Sequence, residues 1–274
     1  MHSYDRLSVV VSLVLLGMVI ALVTSAPVRL VTVYVFGSPL SVALSPQWIV
    51  GLILVGLTMA GTDYVLREHP RYRSTWTRHT FLFWILPVAV TITGILIAPR
   101  LAAWHPLLWI AGLLLTGFGL ASVIVAEYRA LSGDVQLTIP AQVYLNLVAY
   151  LVALLAFTAV YGSRTRSLLS GPAISLLAAV LSLGLLRTEV EHVSKTWAYS
   201  LAIGLVLGEI TWVLNYWRIS GLAGGAFLVV FFYLTTGLAQ LDLWGRLNKR
   251  TVAEYAGVAL LALLFLLARA VPFS

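Results

Sequence analysis

The chain has 274 residues, 61% of them hydrophobic and only 10% charged, with a mean hydropathy of +0.98. A typical soluble domain is about 25% charged, so the composition excludes an ordinary water-soluble globule and fits a bilayer. The net charge of +7 is spread thinly between apolar runs, which fits membrane orientation and argues against a nucleic-acid surface.

A crossing helix needs about 20 apolar residues. The length therefore holds roughly nine spans with short loops, and one transmembrane domain over residues 1–274 is expected. There is no cysteine, which excludes disulfides, thiolate metal sites, iron-sulfur clusters and cysteine nucleophiles.

The first apolar run follows Arg6 and ends in small residues near residue 26, as a signal peptide does. At about 19 residues it exceeds the ~7 to 15 of a signal core, so an uncleaved first helix is expected. Further runs bounded by charges, Pro and Gly give spans near 7–26, 48–66, 80–98, 105–127, 140–161, 168–187, 197–217, 222–241 and 252–271. Trp48, Trp76, Trp104, Trp109, Trp197, Trp217 and Trp244 flank them as interfacial anchors.

Between the first two spans, residues 28–47 alternate Val31, Val33 and Val35 with Thr32, Tyr34 and Phe36 before Gly37, Ser38 and Pro39. Period two around such a turn predicts a short extracytoplasmic β-hairpin. The competing reading is a re-entrant segment or tenth crossing, which would flip the N-terminus.

The loop Arg67 to His79 holds four arginines and is placed in the cytoplasm. With nine spans, 11 of the 17 Lys and Arg residues then fall inside, which predicts an inner-membrane protein with N-terminus cytoplasmic and C-terminus extracytoplasmic. Every carboxylate except Glu209 also falls at the inner side. The outer surface is left cationic and would attract an anionic lipid or solute.

Glu209 lies in the seventh span, AYSLAIGLVLGEITWVLNYW, residues 198–217. An ionisable residue at a helix centre costs roughly 2.5 to 3.5 kcal/mol on insertion scales for Asp, Lys or Arg. It therefore needs a partner, a proton or water. On a helical wheel Glu209, Trp212 and Tyr216 share one side, with Thr211 and Asn215 continuing it, while Ile203 and Ile210 lie opposite; the polar side is expected to face the bundle interior. Groups at suitable depth are Asn146, Tyr150, Ser175, Tyr233, Thr91 and Thr93. No Lys or Arg stands at mid-membrane, so the neutral acid is the cheaper form.

Gly204 and Gly208 form one GxxxG and Gly221 and Gly225 another, and Gly237 is the expected contact of Gly204. Pro87 and Pro172 are expected to bend the third and sixth spans.

His79 and His105 sit at opposite ends of their spans, which argues against an intramembrane haem. Both lysines lie in loops, which argues against a retinal Schiff base. At the inner surface His69, His79, Glu189, Glu191, His192, Asp63, Glu127 and Asp242 form a second candidate group, suited to Mg²⁺ and a lipid diphosphate. No DxxxD pair, HExxH, GxSxG or P-loop accompanies them.

The expectation is an all-α integral membrane protein, a polytopic bundle of about nine transmembrane helices, with neither cofactor nor resident metal. The favoured function is permease-like or channel-like, with Glu209, Asn215, Tyr150, Asn146 and Tyr233 handling protons, a cation or a small solute. The alternatives are an enzyme or flippase acting on an anionic lipid carrier, and an accessory subunit contacting a membrane-protein partner.

Overall fold

The computed structural model describes residues 2–23, 29–35, 38–44, 46–69, 72, 80–132, 134–163, 167–187, 193–217 and 219–270. Helix α1 is His2–Val23, followed by strands β1, Arg29–Val35, and β2, Ser38–Leu44, and by α2, Pro46–Leu66. A 3-10 turn at Thr80–Phe83 leads into α3, Ile85–Trp104, then α4, Pro106–Ala130, and α5, Val135–Gly162. The chain continues through α6, Ser167–Leu185, α7, Val193–Asn215, α8, Gly221–Leu243, and α9, Lys249–Ala270. The two strands pair antiparallel, with Arg29 opposite Leu44 and Val35 opposite Ser38.

Among the described residues seven helices are long and apolar enough to cross a membrane: Asp5–Val23, Ile49–Leu66, Ile85–Trp104, Leu107–Ala130, Val135–Gly162, Ser194–Asn215 and Gly221–Leu243. Leu169–Leu185 is apolar but shorter. An apolar helical bundle of this kind is compatible with a membrane location.

The chain divides into two compact units, Met1–Thr138 and Ile139–Ser274. In the first, α1 packs on α2 and α4, and α3 packs on α2 and α4. Val14, Leu54, Leu120 and Ile124 fill its core. Small residues let side chains of the next helix in: Gly17 receives Leu54, Gly61 receives Val10, and Gly94 receives Thr116. Buried Thr58 and Thr91 join α2 to α3 through a 3.1 Å hydrogen bond. Such a bond spares both hydroxyls an unsatisfied place in apolar surroundings.

In the second unit α6 and α7 form the tightest pair, and α8 packs on α7 and α9. A Cβ on Gly204 would meet the Ser175 carbonyl oxygen at 2.6 Å, and one on Gly208 would strike the Ser175 hydroxyl. The α6–α7 contact therefore depends on having no side chain there. Gly221 approaches Gly162, and Gly225 approaches Thr158, which brings α8 against α5.

Two expectations are corrected here. Gly237 packs on the Tyr255 ring and does not contact Gly204, because α6 offers Ser175 and Ala179 at that position. Pro87 lies in the first turn of α3, where its missing N–H has no intrahelical acceptor to lose, so it does not bend a helix interior. The prolines inside helices are Pro99, Pro140 and Pro172.

Helix ends follow local chemistry. His105 caps α4, its Nδ1 accepting from the Leu107 N–H at 3.1 Å, with Pro106 at the first helical position. Ser220 caps α8 by accepting from the Ala223 N–H. At the other end of α8, Gly245 takes φ 64°, its N–H donates to Asp242 O and the Arg246 N–H donates to Leu241 O. That double bond is a Schellman motif, and glycine is the residue that enters the left-handed region without a Cβ clash.

Candidate functional site

Two polar clusters stand out, one in each unit. In the second unit α5 and α8 run antiparallel, with contacts progressing from Gly162 on Gly221 to Phe157 on Phe232 and Tyr150 on Thr236. Near the middle of both helices the Tyr150 hydroxyl shares a 3.0 Å hydrogen bond with the Thr236 hydroxyl. The Tyr150 ring meets Tyr233 edge-on at 5.7 Å, and Tyr233 stacks on Tyr255 of α9 at 5.4 Å and 17°. Phe232 closes the group against Tyr150 and Phe157.

Three phenols and a threonine thus meet within apolar helices. Each hydroxyl both donates and accepts.

Of the residues singled out in the sequence, Tyr150 and Tyr233 are brought together. Asn146, one turn before Tyr150, is exposed. Asn215 donates to the Ser170 hydroxyl at 3.1 Å and ties the end of α7 to α6. Glu209 is exposed, as are Trp212 at 47% and Tyr216 at 90%. Of the side expected to face inward, Glu209 and Tyr216 are therefore exposed, while Thr211 is buried with Ile203, Gly204, Leu207, Gly208 and Leu214, and Trp212 lies partly against Gly171 of α6.

The physical reason is the glycine pair. Close backbone approach between α6 and α7 gains dispersion contacts along the whole seam, whereas turning Glu209 inward would pack a long polar side chain against aliphatic neighbours. Thr91, expected within reach of Glu209, instead pairs with Thr58 in the first unit. Sequence reasoning missed Thr236 and Tyr255. Thr236 could have been found, because it lies three residues after Tyr233 on the same helical face.

The second cluster lies where α1 begins and α2 ends. Arg6 bridges Glu68 at 3.0 Å, and its guanidinium lies over the Tyr64 ring, 4.3 Å from the centroid. Arg67 bridges Asp63 at 2.6 Å, and the Tyr72 hydroxyl donates to the same carboxylate at 2.6 Å. Tyr72 is buried with Leu66, Phe83 and Leu131. That burial, followed by the neighbouring Asp63 carboxylate, pushes its phenol up to about 12.

His69 is buried edge-on to Tyr128, 4.9 Å between ring centres, and Glu127 beside it in α4 is 1% exposed. In the second unit Asp242 accepts from Tyr199 at 2.5 Å. His79, Glu189, Glu191 and His192 lie outside the described residues. Among the described residues no group of three or more His, Asp or Glu side chains could hold a metal ion.

The geometry describes an apolar helical protein, compatible with a membrane location, with a cluster of three tyrosines and a threonine in its second unit. A family described as "Protein of unknown function (DUF5656)" matches residues 25–269, and the chain belongs to it. No curated protein and no solved structure matches.

Proposed function

We propose that the chain is a permease-like or channel-like protein of a bacterial inner membrane that handles a small polar solute at Tyr150, Thr236, Tyr233 and Tyr255. The observation that carries this reading is the Tyr150–Thr236 hydroxyl pair between α5 and α8, with the Tyr233 ring against Tyr150 and the Tyr255 ring of α9 stacked on Tyr233. A neutral donor-acceptor strip suits an uncharged solute, which leaves its hydration shell without the expense of desolvating an ion. In this reading nine helices cross, the N-terminus is cytoplasmic, and residues 29–44 lie on the outer side.

The lipid-carrier reading receives less support. Asp63 already binds Arg67 and Tyr72, and Arg6 already binds Glu68 and covers Tyr64, so these charges satisfy one another.

The test is solute-driven swelling of proteoliposomes with a panel of small polyols and amides. Flux above empty liposomes is expected for at least one solute, with Tyr150→Phe and Tyr233→Phe lowering it about fivefold or more, the loss of roughly one hydrogen bond. Flux equal to empty liposomes, or indifferent to both substitutions, would overturn the reading.

A further inference from the structure

The turn between α8 and α9, Trp244 to Arg250, WGRLNKR, is exposed along its whole length. It carries Arg246, Lys249 and Arg250 with no acid among them, and two large apolar side chains, Trp244 and Leu247. Both ends of the turn are tied. The Schellman bonds at Gly245 fix where Arg246 leaves α8. At the start of α9 the Asn248 N–H donates to the Thr251 Oγ1 at 3.0 Å, and the Thr251 hydroxyl donates to the Asn248 carbonyl oxygen at 2.8 Å.

The cations do not serve the helix they precede. Lys249 and Arg250 stand in the first turn of α9, where the helix dipole opposes a positive charge. Arg250 is compensated by Glu254 at 3.0 Å, as Arg6 is by Glu68 and Arg67 by Asp63. Among the described residues Arg246 and Lys249 have no such carboxylate. Both are positive throughout the physiological pH range, so an anion from outside the chain would relieve their repulsion whatever the pH.

The position of the turn selects the anion. Helix α8 is long and apolar enough to cross a membrane, so a turn just beyond its end lies where the headgroups of a bilayer begin. A tryptophan and a leucine beside arginine and lysine suit that boundary, where an apolar body and a charged tip are both satisfied. A water-soluble anion would use the cations and leave Trp244 and Leu247 in water.

We propose that residues 244–250 hold the headgroup of an anionic phospholipid, with Arg246 and Lys249 on its phosphate and Trp244 and Leu247 at the level where its acyl chains begin. Arginine supplies the forked donor and lysine the compact charge that a phosphate accepts. The turn is fixed at both ends before the lipid arrives, so little order has to be imposed on binding. This site does not depend on the solute reading.

Native mass spectrometry of the purified full chain, titrated with phosphatidylglycerol or phosphatidylcholine of the same acyl chains, tests it. Phosphatidylglycerol is expected to bind more tightly, and Arg246→Gln and Lys249→Gln should each weaken it about fivefold, the worth of one cation near an anionic surface. Exchanging the two cations, Arg246→Lys with Lys249→Arg, should hold the affinity within about threefold. Trp244→Ser should weaken the lipid as well, which a site for a bare phosphate ion would not show. The positions are exposed, and the unfolding midpoint without added lipid checks that each variant is folded. The inference is overturned by equal affinity for the two lipids, by unchanged affinity in the double variant Arg246→Gln with Lys249→Gln, or by an equal loss when two exposed charges elsewhere are removed, Arg100→Gln with Arg129→Gln. Displacement of the lipid by millimolar inorganic phosphate would equally overturn it.

Discussion

Tyr72 shows how one residue can hold a segment to a helix. Its hydroxyl donates to Asp63, which Arg67 also engages, while its ring packs on Leu66 and Phe83. A hydrogen bond to a charged group contributes about 1.5 to 3 kcal/mol, so Tyr72→Phe should lower the unfolding free energy of the detergent-solubilised protein by about 2 kcal/mol at neutral pH. The phenol holds its proton more tightly folded than unfolded, with a folded value of about 12 against 10.0. Its contribution is thus fully present below pH 10 and is lost as pH rises towards about 12. The gap between wild type and Tyr72→Phe in thermal unfolding should stay level from about pH 7 to 9 and narrow above 10; a gap that widened with pH would contradict this. Legibility at this scale was uneven. Depth matching sets Tyr150 and Tyr233 at one level as partners of Glu209, and the structure joins them to each other instead, whereas Tyr255 sits near the start of its helix and offers no such cue. Glu209 stands out in the sequence as the one acid near the middle of an apolar run, yet a helical wheel gives angles between side chains and not the side that is buried.

At the scale of the element, glycine against polar side chain is the competition that orients α7. Gly204 faces the Ser175 carbonyl, a backbone atom that cannot rotate away. Gly204→Val should therefore wedge α6 from α7 and destabilise by about 1 to 3 kcal/mol, the range for overpacking. Gly51 and Gly56 of α2 have open space where a Cβ would go, so Gly51→Ala and Gly56→Ala should be neutral or stabilise by up to about 1 kcal/mol through helix propensity. Thermal unfolding followed by tryptophan fluorescence would separate the two groups, and equal effects would sink the packing account. The apolar runs were legible because twenty residues without charge have few other fates. Their partners were not, since a GxxxG states that a helix can be approached closely and leaves open by which neighbour. Pro87 illustrates the same gap: the residue was visible, but whether it stood inside a helix depended on the 3-10 turn at Thr80–Phe83 that delays the start of α3.

At the scale of the whole molecule the open quantity is the number of crossings, and it turns on α6. Its apolar core, Leu169–Leu185, is shorter than the other candidate spans, and 17 residues at about 1.5 Å each reach about 25 Å against a hydrocarbon core of about 30 Å. Length alone would leave it short. Packing argues the other way: α6 meets α7 from Gly171, against Trp212, through Ser175 and Ala179, against Gly208 and Gly204. A helix in register with a membrane-length neighbour over that distance shares its depth, and a bilayer thins locally around a short span at a modest cost. If α6, α7 and α8 all cross, Ser163 and Leu247 lie on opposite sides; if α6 does not, they lie on the same side. Single-cysteine variants at these two exposed positions, Ser163→Cys and Leu247→Cys, should behave oppositely with a membrane-impermeant maleimide. The arginine bias further predicts that Ser163→Cys reacts in intact cells and Leu247→Cys only after lysis. Labelling of both from outside would remove α6 from the spans, whereas the reverse pattern would keep the three crossings and invert the orientation.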